Sequence, residues 1–304
     1  MEMEGTMRRR WMVWAGAVAL IGAALALTGC DGLPIHEAMR TLTGSFAVTG
    51  AVDLDVWTTN GRVTVKGVEG LTTVEVTATV RSRGDSLIEA AARAAQVVVE
   101  MRHSGNHIEL EYDASAHPWD VRRYTGVDFE VMVPTTVDIE VDTSNGWVAV
   151  SDVTGILDLR TSNGAIDVTS VVGETTASTS NGAIQVVAYD GVLHLDTSNG
   201  RIEMIGVAAA VDAHASNGGI TFAGTLIDGV DHRMMTSNGR IDVTIPANAS
   251  LQIDARTSNA SITANLPLIG DTEGKSWSAV LNPPPAASLT LDTSNGAIEI
   301  LGSL

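Results

Sequence analysis

Few residues in this chain are of types and spacings that could carry catalysis or hold a metal. Seven histidines, 36 acids and a single cysteine are spread over 304 residues. His103 and His107 stand four apart, a spacing that on a helix would bring two imidazoles together for a metal. The intervening Ser104-Gly105-Asn106 is turn composition, so the pair reads as flanking a turn rather than as a ligand set. His194 and His214 fall in polar columns and are expected in solvent. His232 falls in an apolar column six residues before Asn238 and reads as a core histidine. Glycosidase chemistry needs two carboxylates about 5–10 Å apart across a groove. The outward-facing acids Asp158, Asp167, Asp196, Glu203, Asp242 and Asp254 form no distinctive pair. The Asp-rich nonapeptide that binds Ca²⁺ in repeat proteins is missing. There is also no Ser/His/Asp order and no phosphate-cradling glycine loop. These features predict a protein that is not an enzyme and needs no metal or cofactor.

The one cysteine has a different context. Arg8, Arg9 and Arg10 precede an uncharged apolar run of 17 residues, Trp11 to Leu27, and Leu27-Thr28-Gly29-Cys30 closes it. A basic start, an apolar centre and a small-residue cleavage site form an export signal. The closing tetrad resembles the bacterial lipobox, in which the cysteine thiol is alkylated with diacylglycerol before cleavage. The expectation is a signal peptide over 1–29, a lipid on Cys30 that holds the protein to the membrane, and a tether over 30–44. An uncleaved anchor is the alternative, because 17 apolar residues stand at the lower limit for a span. With Cys30 lipidated no cysteine remains for a disulfide, so stability outside the cytoplasm must come from packing and backbone pairing.

Removing residues 1–29 leaves 18 − 3 = 15 basic and 36 − 2 = 34 acidic residues, a net charge of −19. Such a surface repels nucleic acid, which is excluded as a partner.

The elements that must position any site are set by one recurring tetrad. Ser-Asn-Gly-x recurs around Asn145, Asn163, Asn181, Asn199, Asn217, Asn238 and Asn295, with Ser-Asn-Ala-Ser at Asn259. The steps between successive Asn residues are 18, 18, 18, 18, 21, 21 and 36. The last step reads as two periods, and Thr59-Asn60-Gly61-Arg62 reads as an early outlier. A short fixed period marks a solenoid. Flanking positions alternate with period two: Leu157 and Leu159 before Asn163, Ile166 and Val168 after it, with Asp158, Arg160 and Asp167 between them. Asn-Gly between such strands is also a hairpin signal. Stacking in parallel register, however, would superimpose like residues about 4.8 Å apart and join the Asn side chains in a ladder. The Asn-Gly bends are expected to use positive φ. Thr143, Thr161, Thr179, Thr197, Thr236, Thr257 and Thr293, two residues before Asn, fall in the inward register with hydroxyls directed at the bend. The predicted fold is therefore all-β, a parallel β-solenoid (β-helix-like) with coils of about 18–21 residues, the Asn row acting as a structural ladder.

Residues 71–134 break the period. Leu71 to Val80 alternates as a strand, and Ser86 to Ala95 reads as a short helix. Val97 to Met101 and Ile108 to Tyr112 read as strands, and Ala114 to Thr125 as a loop. This small α+β insertion is expected to cap the N-terminal end. Pro267 to Ala287, with Pro283-Pro284-Pro285, is expected to be a loop or covering segment. The solenoid domain is placed at 45–304, with its main array at 137–302. The ordered Thr-Ser-Asn-Gly-x-Ile repeats, the segment Val74 to Tyr112 and the closing Ser276-Trp277 to Ile300 resemble the bacterial putative-adhesin family of β-strand-repeat domains of unknown function, over residues 45–302. The resemblance implies this fold and an exported or membrane-attached location. The expected role is a lipid-anchored envelope scaffold for binding or adhesion, with an envelope polysaccharide or a surface or membrane protein as partner. The alternative is an envelope-stress sensor acting through a membrane-protein partner; a carbohydrate-active enzyme is the weakest of the three readings.

Cys30→Ser should leave an unprocessed precursor without lipid. An unmodified Cys30, or an uncut bond before it, in mass spectra of the wild-type protein would refute the lipid assignment.

Overall fold

The computed structural model describes residues 25–28 and 34–303. Cys30 and most of the signal segment lie outside the described residues. The alternation read from sequence forms strands that stack in parallel, in register, coil upon coil. Ile166, Ile184, Ile202 and Ile220 pair directly across four successive coils, as do Leu159, Ala177 and Leu195 on the other side of the bend. All of these side chains are buried in one continuous core between two faces. Each fully buried aliphatic side chain contributes about 1.5–3 kcal/mol, so a column repeated in every coil stabilises the rod without any large aromatic centre. The polar residues of the same strands face outward, as the alternation requires.

Each regular coil has two corners. The first is the Ser-Asn-Gly bend. Here Asn163 donates from Nδ2 to Asn145 Oδ1 at 2.7 Å, Asn181 to Asn163 at 2.7 Å and Asn199 to Asn181 at 2.8 Å. Beneath this exposed ladder runs a buried one. Thr179 Oγ1 donates to the Gly164 carbonyl (3.0 Å) and accepts from the Gly182 amide (3.2 Å), and Thr161 and Thr197 repeat the arrangement. The series lapses at Ala215, which stands where the other coils have Thr, and the buried Thr143 hydroxyl has no partner.

The expected positive φ is not found at these bends; no tetrad Asn or Gly among the described residues has it. Glycine is needed there because the coils approach too closely for a side chain. A Cβ on Gly182 would lie 1.7 Å from the Gly164 carbonyl oxygen, and one on Gly164 1.6 Å from that of Gly146. Positive φ belongs to the second corner, where Asp152 (61°), Ser170 (55°), Ala188 (53°) and Gly206 (65°) stack.

The coils are not stacked in sequence order. Strand Val52–Thr58 pairs in parallel with both His107–Tyr112 and Val137–Thr143, and strand Val63–Val68 lies between Thr125–Pro134 and Val148–Thr161. Part of the insertion is thus itself an outermost coil, and Asn60 is a full rung of the ladder rather than an outlier, accepting from Asn145 at 2.7 Å. At the far end the last coil in sequence is intercalated. Strand Ala287–Thr293 lies between Asp231–Thr236 and Leu251–Thr257, and Ile298–Ser303 between Ile241–Pro246 and Ile262–Ala264. The Asn ladder accordingly runs from Asn217 to Asn238, then Asn295, then Asn259. The step of 36 is therefore not two stacked periods; the intervening residues complete the terminal coil, form its cover and return as Ala287–Thr293 to the coil beneath it.

Antiparallel strands close both ends. Thr73–Gly84 pairs with Thr125–Pro134 and with Pro34–Ala47, so residues 34–44, expected as tether, are largely strand. Glu100–Ser104 covers His107–Tyr112. Ser276–Leu281, inside the expected covering segment, closes the edge of Leu251–Thr257. Helix Leu87–Gln96 forms as expected, N-capped by Ser86. The stretch Ala114 to Thr125 is not a plain loop, since it holds a 3₁₀ turn at Ala114–Ala116 and a short helix at Trp119–Tyr124. Asn106 and Asn282, outside the ladder, each donate to two backbone carbonyls, Asn106 to Thr49 and Ala51, Asn282 to Ala247 and Ala249.

His232 is 1% exposed, in the core as its column implied. Its Nδ1 accepts from the Val211 amide (3.3 Å), which leaves Nε2–H to donate to the Ile227 carbonyl (2.9 Å). Burial holds its pKa below the usual value against weaker upward pulls from the Ile227 carbonyl, Asp231 and Asp228.

The two corners give opposite expectations for small substitutions. Gly182→Ala drives a Cβ into backbone and should cost about 3 kcal/mol, the upper range for overpacking. Ala188→Gly removes a left-handed strain of about 1–2 kcal/mol against an unfolded-state penalty of about 0.4–1, a net gain of about 0.5–1. Urea unfolding of both variants checks the pair; a tolerated Gly182→Ala would refute the close-approach account. For His232 the sign follows from linkage. The depressed pKa makes the folded state bind fewer protons, so this group leaves stability intact above about pH 6.5 and lowers it as pH falls below that, by up to about 1.4 kcal/mol per pH unit. Stability measured across pH 4–8 should lose that slope in His232→Gln; an unchanged slope would count against a buried neutral ring.

Candidate functional site

Two places depart from the regular surface, and both lie at the N-terminal end. The first is on the face formed by the strands that precede the Asn corners. Parallel pairing sets Asp53 beside His107, and His107 Nδ1 lies 2.8 Å from Asp53 Oδ2 with Nε2 3.7 Å from Asp55 Oδ2. One ligand atom from each of Asp53, Asp55 and His107 fits within 4.8 Å of the others. Burial raises the Asp55 pKa; His107 opposes this, and Asp53, Glu140 and Glu109 add to it. These three side chains are the ones that could hold a divalent cation, but a hydrogen-bonded imidazole–carboxylate pair accounts for the geometry on its own. His103 does not join the group, because its Nε2 lies 2.6 Å from the Gly105 carbonyl within the expected turn. The two histidines flank a turn, as the sequence implied; the partner His107 does have, Asp53, lies 54 positions away, and only the stacking of the outermost coil brings them together.

The second is a cleft of about 800 Å³ between the first two Asn corners and the helical cap. Five arginines line it (Arg62, Arg81, Arg83, Arg93 and Arg123), with Glu37 and Asp85 as the only carboxylates. Each arginine is positioned by a different element. Arg62 and Trp147 occupy the fourth place of successive tetrads, so stacking sets the Arg62 guanidinium 5.1 Å from the centre of the Trp147 ring. The Trp147 indole N–H donates to Asp167 at 2.8 Å, which fixes the ring plane, and Asp167 has its pKa raised by burial despite that bond. Asp128 accepts from Arg81 (2.7 Å) and from the Arg62 amide (2.8 Å). Arg93, on the cap helix, pairs with Glu89, donates to the Arg83 carbonyl and lies over Tyr124. The Arg123 guanidinium lies over the Trp119 ring at 4.9 Å and over the Tyr124 ring at 5.6 Å from their centres. Among the described residues, neither Arg62 nor Arg123 is paired with a carboxylate. With arginine donors as its main polar groups, the arrangement can bind an anion.

The predicted ladder residues Asn145, Asn163, Asn181, Asn199, Asn217, Asn238, Asn259 and Asn295 all join one row with Asn60. Of them only Asn145 reaches the cleft. Of the outward acids, Asp158, Asp196 and Asp254 lie on strands before the Asn corners, whereas Asp167, Glu203 and Asp242 fall in one column after them, separated by Gln185 and Thr221. His194 and His214 are exposed, His214 lying 3.1 Å from Asp196.

No curated protein sequence matches this chain. Among solved structures, a putative adhesin from Bacteroides fragilis is similar, at 14% identity over 86% of this chain and 96% of its own, with a TM-score of 0.45. A putative cell adhesion protein from Clostridium sporogenes is similar at 10% identity, covering 86% of this chain and all of its own, with a TM-score of 0.27. A family model matches residues 44–301, nearly the whole of the solenoid and its caps, and the chain therefore belongs to the Toastrack DUF4097 family.

Proposed function

We propose that this protein is a non-enzymatic binding scaffold of the bacterial cell envelope, held to a membrane by lipid on Cys30 and presenting its solenoid to an envelope polysaccharide or a surface protein. The observation that carries this reading is the closure of both solenoid ends by antiparallel strands. Covered ends do not continue the stack into a filament, which leaves the long side surfaces and the cap cleft as the surfaces on offer. The strong negative charge keeps such a rod apart from its own copies and from anionic headgroups. The Leu27-Thr28-Gly29-Cys30 sequence supplies the anchor; several acyl chains hold a protein stably where one chain alone does not.

Crosslinking in intact cells of the source organism should join the protein to an envelope polymer or surface protein, and the purified protein should leave envelope glycans uncut. Recovery in the cytosolic fraction, or release of glycan fragments by the purified protein, would overturn the proposal.

A further inference from the structure

We infer that the arginine-lined cleft beside Trp147 is a binding site for an acidic sugar unit, with the carboxylate of a uronic acid residue held by Arg62 and Arg123 and the ring stacked on Trp147. The inference rests on the envelope-scaffold reading for its biological setting and on the cleft itself for its chemistry.

Charge is the first ground. The chain carries 36 acids against 18 Lys and Arg, yet this one concavity gathers five arginines against two lining carboxylates. Asp128 and Glu89 offset Arg81 and Arg93, so the positive excess that remains is carried by Arg62 and Arg123, and within a concavity such an excess draws in an anion on a surface that otherwise repels anions. The second ground is preorganisation. Arginine presents a planar fork of donors that matches a carboxylate or phosphate in two parallel bonds. Arg81 and Arg93 are engaged by Asp128 and Glu89, whereas Arg62 and Arg123 are held by aromatic faces, which orient a guanidinium without using up its donors. Holding the fork before the ligand arrives removes part of the ordering cost of binding.

The third ground separates a sugar from a bare anion. Trp147 is 37% exposed, and the next residues in its column are Ala165 and Ala183, too small to cover it. With the Arg62 guanidinium over one face, the part of the indole that stays exposed offers an apolar surface to the C–H face of a pyranose while the arginines take its charged group. Phosphate alone would use the arginines and ignore the indole.

The test uses the full chain purified in detergent, with trigalacturonate, maltotriose and inorganic phosphate as probes in calorimetric titrations. Trigalacturonate should bind, more weakly as salt is raised, and maltotriose should not. Arg62→Gln combined with Arg123→Gln should weaken trigalacturonate binding at least tenfold, Trp147→Ala about fivefold, and Trp147→Phe much less. Arg240→Gln, in the same column far from the cleft and paired with Asp242 and Glu299, should change nothing. Thermal melts of each variant confirm folding; Trp147→Phe with Arg62→Gln serves if Trp147→Ala melts early. The assignment is overturned by absence of trigalacturonate binding, by equal binding of maltotriose, by indifference to the double arginine change, or by phosphate binding as tightly as trigalacturonate with Trp147→Ala silent. Loss of trigalacturonate binding in the double variant, with no envelope contacts in cells, would keep the cleft and remove the scaffold reading. Envelope contacts without trigalacturonate binding would do the reverse.

Discussion

The close approach of backbones at the Ser-Asn-Gly corner governs the rest of this molecule. The carbonyl oxygen of one tetrad glycine occupies the space a Cβ of the next would need. Three interactions then fix each step. The Asn181 amide donates to the Ser162 carbonyl of the preceding coil (3.0 Å), its side-chain amide donates to Asn163, and Thr179 ties the Gly164 carbonyl to the Gly182 amide. Once the corners superimpose, the parallel register of both adjoining strands is set, and a slip of one residue would turn every apolar column outward. Among the described residues the tetrad serine hydroxyls make no hydrogen bond, and nothing in the structure explains their recurrence.

This constraint also explains what could be read from the sequence. Identical residues at a fixed spacing, with strict alternation on either side, are legible because each coil meets the same environment as its neighbours. The inward Thr column and the core position of His232 followed from that alternation alone. Spacing could not show the spatial order of coils, because distance along the chain says nothing about intercalation. Asn259 and Asn295 are 36 residues apart yet adjacent in the ladder, and Asn60 joins Asn145 across 85 residues. The physical reason for glycine was hidden as well. A tight contact between coils and a left-handed φ both select glycine, and only the backbone shows that the tetrads use the former and the Asp152, Ser170, Ala188 and Gly206 corner the latter.

The cleft was illegible for a related reason. Its residues run from Glu37 to Trp147, across the segment where the repeat is broken, and each arginine taken singly looks like an ordinary surface charge. One signal was present. In the fourth tetrad position Arg62 and Trp147 stand together at the N-terminal end, whereas Ala165 and Ala183 follow in the same column. Reading that column as stacked side chains, with Asn60 admitted to the ladder, would have placed a guanidinium over an indole.

A solenoid built on repetition faces a difficulty as a recognition surface. Where every coil presents the same corner, a ligand that fits one rung fits its neighbours almost equally, and the Asn amides are already committed to one another. Discrimination requires residues that differ from coil to coil and donors that remain open, and both conditions are met where the regular stack ends. At that end an outermost coil drawn from the insertion, a capping helix and the adjoining Arg62 and Trp147 of one column bring together groups the regular coils next to them, with Ala165 and Ala183 in that column, do not supply. The regular coils then serve to hold that irregular end rigid: Trp147 and Arg62 sit on the same corner ladder that stabilises the rod, so the geometry of the cleft inherits the precision of the stack beneath it.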